Sequence, residues 1–217
     1  MAFFAVFHML GQLRAKSKGF TRLVAGPFAA LGITPNAFSF IAVPLALAAA
    51  YYTMRQDFSA AFLLAGLSVS IDLFDGAVAE FQGKKSLFGN YFETMVDKIV
   101  EIILFIGAAF LHPLAAICAL GFSMLASYAK PRVALVIIAD NRDWPAIGEH
   151  AERMALLLAG LLLSVFSVRA FGMGALEIAL WAIAAVAAIG SAQRILYAKK
   201  LIAEAEKAGN VLPYLKK

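Results

Sequence analysis

Cysteine, histidine and charge are all scarce in this chain. Among its 217 residues there are one cysteine and three histidines, and a single cysteine excludes a disulfide framework. The cysteine, Cys118, lies inside an apolar run, where a lone thiol behaves as a small buried hydrophobe rather than a redox group. Charged residues make up 15% of the chain, against roughly a quarter in a soluble domain. Glycine, at 16 residues, is too sparse for a collagen repeat. What is abundant is apolar: 62% of the residues are hydrophobic and the mean hydropathy is +0.81. So apolar a chain cannot stay solvated as a disordered one, and it reads as an integral membrane protein. The 19 Lys and Arg against 14 Asp and Glu give a net charge of +5. In a soluble protein that excess would suggest nucleic acid; here it is the basic charge that cytoplasmic loops collect, and no nucleic-acid partner is expected.

A helix needs about 20 mostly apolar residues to cross ~30 Å of hydrocarbon. Six such stretches lie between polar or Pro/Gly breaks, approximately from Asn36 to Met54, Phe58 to Glu80, Leu87 to Leu111, Pro113 to Ala139, Ile147 to Val168 and Gly174 to Tyr197. Their short connections make consecutive helices antiparallel neighbours and leave no room for a second domain. The expected fold is therefore all-α: one membrane domain over 1–217, with a six-helix bundle at 36–197 and a basic cytoplasmic tail at 198–217. Ahead of the bundle, Phe3, Phe7 and Leu10 recur at helical spacing while His8, Gln12, Arg14 and Lys16 are polar. That pattern predicts an amphipathic helix over 1–19, lying in the interface against membrane lipids. Gly11 to Lys18 lacks the small-residue pattern of a signal-peptide cleavage site. Arg55 and Arg169 fall on one side of this topology, Lys98 lies within the third span, and the remaining Lys and Arg fall on the other side. Both termini are accordingly expected in the cytoplasm. The last span is rich in alanine, with Gly190 and Ser191, which suits close packing within the bundle or a dimer contact.

The acids are unevenly placed. Asp72, Asp75, Glu80, Glu93, Asp97 and Glu101 all fall within or at the ends of the second and third spans. An Asp at mid-membrane costs roughly 2.5 to 3.5 kcal/mol, so four such groups facing lipid would cost on the order of 10 kcal/mol. They must face a polar cavity or a cation. Asp72 and Asp75 are i and i+3, and Glu93 and Asp97 are i and i+4, so each pair shares a helix face. The turn at Gly83 to Ser86 folds the two helices together and can bring both pairs to one height. Hard oxygen ligands in this number suit Mg²⁺, Mn²⁺ or Ca²⁺, with no Cys or His beside them to favour zinc. Gly76 and Gly89 adjoin the acids, where a missing Cβ permits close approach by a ligand or another backbone. Neutralisation by Lys84, Lys85 and Lys98 is the alternative reading of the same acids.

The run Asp72-Leu73-Phe74-Asp75-Gly76-Ala77-Val78-Ala79, followed after Glu80 and an eight-residue gap by Gly89-Asn90-Tyr91-Phe92-Glu93-Thr94-Met95-Val96-Asp97, resembles the signature of the CDP-alcohol phosphotransferase family, DxxDGxxAR with GxxxDxxxD. Ile33-Thr34-Pro35-Asn36 and Gln193-Arg194 are also similar to that family, so the resemblance covers most of the chain. Two positions depart: Glu80 stands where the motif has Arg, and Glu93 where it has Asp. Glu93 keeps charge and oxygen ligands, whereas Glu80 inverts a charge near the donor's diphosphate, a loss that Lys84 or Lys85 could make good.

The resemblance implies transfer of a phosphoryl-linked lipid group from a CDP-alcohol, such as CDP-diacylglycerol or CDP-archaeol, to an alcohol acceptor with release of CMP, as a step of phospholipid biosynthesis. It implies one or two Mg²⁺ or Mn²⁺ ions at Asp72, Asp75, Glu93 and Asp97, with Asp97 also the general base. Asp72, Gly76, Ala79, Gly89, Lys84 and Lys85 would bind the nucleotide, and a homodimer is expected. Ser127-Tyr128-Ala129-Lys130-Pro131-Arg132 and Gly148-Glu149-His150-Ala151-Glu152-Arg153 resemble segments of the phosphatidylinositol-phosphate and phosphatidylglycerol-phosphate synthase branch. That likeness implies an acceptor phosphate, of inositol phosphate or glycerol phosphate, held by Lys130, Arg132, His150 and Arg153. Arginine suits the task through its planar fork. Read instead as topology charges, these residues would leave Arg153 paired with Glu149 or Glu152. Two other functions fit the acids: a degenerate family member without transfer, and a cation carrier or channel, against which no inverted repeat is evident.

Overall fold

A computed structural model describes residues 26–28, 31–137, 144–145 and 147–212. The expected helix over 1–19 lies outside the described residues. The chain is helical in the six expected places. The first stretch is split at Ile41 into α1 (Pro35–Phe40) and α2 (Ala42–Met54); α3 (Phe58–Phe81), α4 (Leu87–Ala109), α5 (Pro113–Val133), α6 (His150–Val165) and α7 (Ala175–Ala208) follow. Between α6 and α7 a two-stranded antiparallel hairpin pairs β1 (Arg169–Ala170) with β2 (Met173–Gly174).

Local chemistry sets these boundaries. Thr34 caps α1, its hydroxyl accepting from the Ala37 amide at 3.3 Å, with Pro35 at the first helical position. Asp57 caps α3 by accepting from the Ala60 amide at 3.1 Å. At the other end of α3, Gly83 takes φ +63°, and the Lys84 amide donates to the Ala79 carbonyl at 2.9 Å, closing the helix in a left-handed turn.

Two ends differ from the expected spans. The apolar run predicts that the fourth helix reaches Ala139, but α5 ends at Val133, two residues after Pro131. Ile137 instead forms an antiparallel bridge with Val211. The last helix, expected to leave the membrane near Tyr197, runs on through Ala208 and closes at Gly209 with φ +70°. Apart from Ile202 its continuation is written in Ala, Leu, Lys and Glu, all strong helix formers, so the basic tail expected from 198 on begins as helix through Ala208.

Among the described residues, α1–α2, α5 and α7 give three segments long and apolar enough to cross a membrane: Pro35–Met54, Pro113–Val133 and Ala175–Ala208. The protein is a helical membrane protein.

The chain divides into two compact units. One comprises residues up to Ala48 with Leu63–Val100. Its core gathers Phe38 and Val78, with Phe28, Ile33, Ile71 and Phe74 against them. The buried Ser68 hydroxyl donates to the Ala42 carbonyl at 2.7 Å, and Gln82 Nε2 donates to the Ile33 carbonyl at 2.8 Å. The second unit comprises Ala49–Phe62 and Glu101–Lys217. There α5 and α6 pack on α7, whose buried Leu176, Leu180, Ile183, Ala187, Ser191 and Arg194 follow one helical stripe. Small residues allow close approach, as at Gly107, where an added Cβ would lie 2.6 Å from the Ala50 Cα. Cys118 is half-buried on α5, as a small apolar side chain.

Candidate active site

In the first unit, the turn between α3 and α4 lines a pocket of about 320 Å³. Pro35, Asn36, Ser39, Ala79, Lys84, Lys85, Ser86, Gly89, Asn90 and Glu93 line it. Of the residues that the sequence assigns to nucleotide and metal, it thus brings together Ala79, Lys84, Lys85, Gly89 and Glu93. Asn36 and Ser86 are added by the fold: an atom built as a Cβ on Gly89 would sit 3.0 Å from Ser86 Oγ and 3.6 Å from Asn36 Oδ1. A side chain at position 89 would press on these two side chains of the pocket wall. Ser86 also starts α4, its hydroxyl accepting from the Gly89 amide at 2.9 Å.

Asp72 is half-buried on α3, and Glu93 and Asp97 are half-buried on α4. Asp75 and Gly76 lie on α3, where their surroundings fall outside the described residues. Among the described residues, which therefore omit the Asp75 side chain, no three carboxylate, histidine or cysteine groups gather to hold a metal ion. The donor set is nevertheless of the right kind, since half-buried carboxylates are the ligands that hard divalent cations take. Glu80, the departure from the motif, is exposed and pairs with Lys85, Nζ to Oε2 at 2.9 Å.

In the second unit the basic residues divide. Lys130 and Arg132 occupy the last turn of α5, the former half-buried and the latter exposed, where cations also offset the helix dipole. His150 and Arg153 instead converge on Glu101. Arg153 is 1% exposed and Glu101 0%. Arg153 Nε donates to Glu101 Oε1 at 2.6 Å and Nη2 to Oε2 at 3.0 Å, and His150 Nδ1 lies 3.2 Å from the same Oε2. Neither partner expected from local spacing holds Arg153: the Glu152 carboxylate accepts from the Gly148 amide at 2.8 Å. Glu101, on another helix, has the reach and burial that the neighbouring acids lack.

Sequence reasoning counted Glu101 among the costly acids of the second and third spans and Arg194 among the residues similar to the family, but assigned neither to a site. Arg194 is 7% exposed, donates to the Ala126 carbonyl at 2.6 Å and the Pro145 carbonyl at 3.2 Å, and lies within electrostatic reach of Glu149, Arg153 and Glu152. An arginine inside an otherwise apolar span was the signal that could have found it.

Residues 32–193 match the CDP-alcohol phosphatidyltransferase family. The chain belongs to that family. It is accordingly an enzyme, a CDP-alcohol phosphotransferase. It is 26% identical over 196 residues to archaetidylinositol phosphate synthase of Pyrococcus horikoshii, covering 88% of this chain and 97% of that one. It is 31% identical over 186 residues to phosphatidylinositol phosphate synthase of Corynebacterium glutamicum, covering 78% and 80%. Its fold is similar to that of Mycobacterium tuberculosis phosphatidylinositol phosphate synthase solved in complex with manganese and citrate, with a TM-score of 0.71, 24% identity, and coverage of 82% of this chain and 88% of that chain. The same Mycobacterium enzyme solved with CDP-DAG bound gives a TM-score of 0.69.

Proposed function

We propose that this phosphotransferase moves a phosphatidyl-type group from a CDP-linked lipid to a phosphorylated alcohol, inositol phosphate before glycerol phosphate, and releases CMP. The observation that carries the donor half is the pocket of the first unit, in which Ala79, Gly89 and Glu93 of the family motif meet Lys84 and Lys85. The acceptor half is supported by the relatives named archaetidylinositol phosphate and phosphatidylinositol phosphate synthases and by the basic residues of α5 and α6.

Asp72, Asp75, Glu93 and Asp97 would hold one or two Mg²⁺ or Mn²⁺ ions, Asp75 completing a set that the described side chains leave short. Bound there, a divalent ion supplies neutralising charge for the diphosphate and for the leaving CMP. The chain's own groups do the rest. Asp97 takes the proton of the acceptor hydroxyl as it attacks the lipid-linked phosphorus. Gly76, Ala79 and Gly89 let the nucleotide approach the backbone. Lys84 meets the diphosphate, because Glu80 engages Lys85. Lys130, Arg132 and His150 hold the acceptor phosphate; Arg153, with four of its five N–H groups directed inward, organises that set rather than gripping the anion itself.

This reading includes all six helical segments as spans of one domain, the motif and both termini on the cytoplasmic side, and a homodimer among membrane lipids. The deciding experiment is CMP release by purified protein with Mn²⁺ and CDP-diacylglycerol or CDP-archaeol. Inositol phosphate is expected to sustain turnover; efficient use of unphosphorylated serine or inositol in its place would sink the acceptor assignment.

A further inference from the structure

Glu101 belongs to neither the acidic motif nor the basic set, yet it is fully buried on α4. A carboxylate in that setting must be matched in charge and in hydrogen bonds. Arg153 does both. Its guanidinium carries five N–H groups: Nε and one on Nη2 go to the two Glu101 oxygens, the second on Nη2 goes to Ser127 Oγ at 3.4 Å, and one on Nη1 goes to the Gly148 carbonyl. Gly148 is thereby held twice, since its amide donates to Glu152. It is also the residue that must be glycine, with φ +71° and the Val186 carbonyl 2.7 Å from any added Cβ. Two residues on, His150 opens α6, and its Nδ1–H donates to the Glu101 oxygen that Arg153 also uses. The imidazole side chain is 22% exposed, and its other nitrogen, Nε2, is the one not turned to Glu101.

Buried ion pairs are poor sources of stability, because apolar residues of similar volume commonly do as well. What this one supplies is orientation. We propose that Glu101 is a positioning residue for acceptor binding: from α4 it fixes the Arg153 fork and, directly and through Gly148, the His150 ring at the start of α6, so that the ring, carrying a proton on each nitrogen, donates Nδ1–H to Glu101 and Nε2–H to the acceptor phosphate in one orientation. The inference rests on the acceptor reading given above.

The test is steady-state kinetics of CMP release with inositol phosphate and CDP-diacylglycerol varied separately. Glu101→Gln keeps the shape of the side chain and removes its charge. The expected result is a KM for inositol phosphate raised about ten-fold, with the KM for CDP-diacylglycerol and kcat within about two-fold of wild type. A merely structural role would lower the amount of active enzyme and leave the acceptor KM alone. His150→Gln should raise the same KM, and the double variant should be no worse than the more damaging of the two single variants, because the two act in series. An unchanged acceptor KM in Glu101→Gln, or additive effects in the double variant, overturns the proposal. If Glu101→Gln does not fold, His150→Gln decides: an unaltered acceptor KM there overturns it equally. Wild-type enzyme that turns over only unphosphorylated alcohols overturns the acceptor reading and this inference together, whereas wild-type turnover of inositol phosphate with a flat Glu101→Gln response removes this inference only.

Discussion

One helix carries acids in two very different settings. Glu93 and Asp97 sit half-buried on the part of α4 that belongs to the first unit, and Glu93 lines its pocket. Glu101, four residues after Asp97, is fully buried in the second unit, with both oxygens taken by Arg153 and His150. The residue type is nearly the same, and the difference lies in what surrounds it. A carboxylate that keeps access to solvent can receive a cation or a proton during a reaction; one closed off by a bidentate guanidinium can only hold other groups in place. Acids in apolar helices are costly wherever they stand, and the two settings suit the two roles proposed above, chemistry for Asp97 and geometry for Glu101.

The sharpest way to break that contrast is at its chemical end. Asp97→Asn is expected to lower kcat for CMP release by about 10²- to 10⁴-fold, the range for loss of a general base, while CDP-lipid binding measured by calorimetry survives. Asp72→Asn should damage both. Equal loss of binding in the two variants would remove Asp97 as the base.

At the geometric end the expected loss is in folding. Arg153→Leu strands a buried carboxylate and should destabilise the protein by roughly 3 to 5 kcal/mol, read from unfolding in detergent. Replacing Glu101 by Leu as well should restore much of that loss, since the stranded charge is then gone. A single variant as stable as wild type would mean that the pair is open to solvent.

The two regions were not equally legible in the sequence. The first unit's site was local: the motif spans consecutive turns of two helices joined by a tight turn, so the resemblance that named Ala79, Lys84, Lys85, Gly89 and Glu93 could be read along the chain, and these five line one pocket. The helices were legible for the same reason, because runs of apolar residues and their Pro, Gly and polar breaks are read along the chain. The Glu101–Arg153 pair joins residues 52 apart, and local spacing pointed Arg153 to Glu149 or Glu152 instead. The early end of α5 escaped for a related reason. Residues 134–139 are apolar enough to continue a helix, but Ile137 is taken by its bridge to Val211, a partner that no window of sequence contains.

Lys84 and Lys85 give a smaller effect that tests how the first unit meets its Glu80 departure. Lys84→Ala should raise the donor KM by an amount worth roughly 1.5 to 3 kcal/mol, the scale of a hydrogen bond to a charged group. Lys85→Ala should change it by no more than about 1 kcal/mol, because an exposed pair with Glu80 contributes little. The reverse order would assign the diphosphate to Lys85, and unchanged KM in both would leave the motif's missing arginine uncompensated. Glu80→Arg should then raise activity.

The smallest expected effect compares how the two units start a helix. α4 is capped by its own Ser86, whose hydroxyl accepts from the Gly89 amide at 2.9 Å. α6 has no such bond from its N-cap residue, Glu149, and its approach is fixed by Arg153 and Glu152 on Gly148. Ser86→Ala should therefore cost about 1 kcal/mol of stability, the ordinary value of a serine cap, and only that, since the rest of the α4 start is untouched. Glu149→Ala should cost nothing measurable by the same assay. Because Ser86 also lines the pocket, a fall in donor affinity larger than the stability loss would show that its hydroxyl contacts the nucleotide directly, and a Glu149→Ala variant as unstable as Ser86→Ala would show that the two helix starts are held in the same way after all.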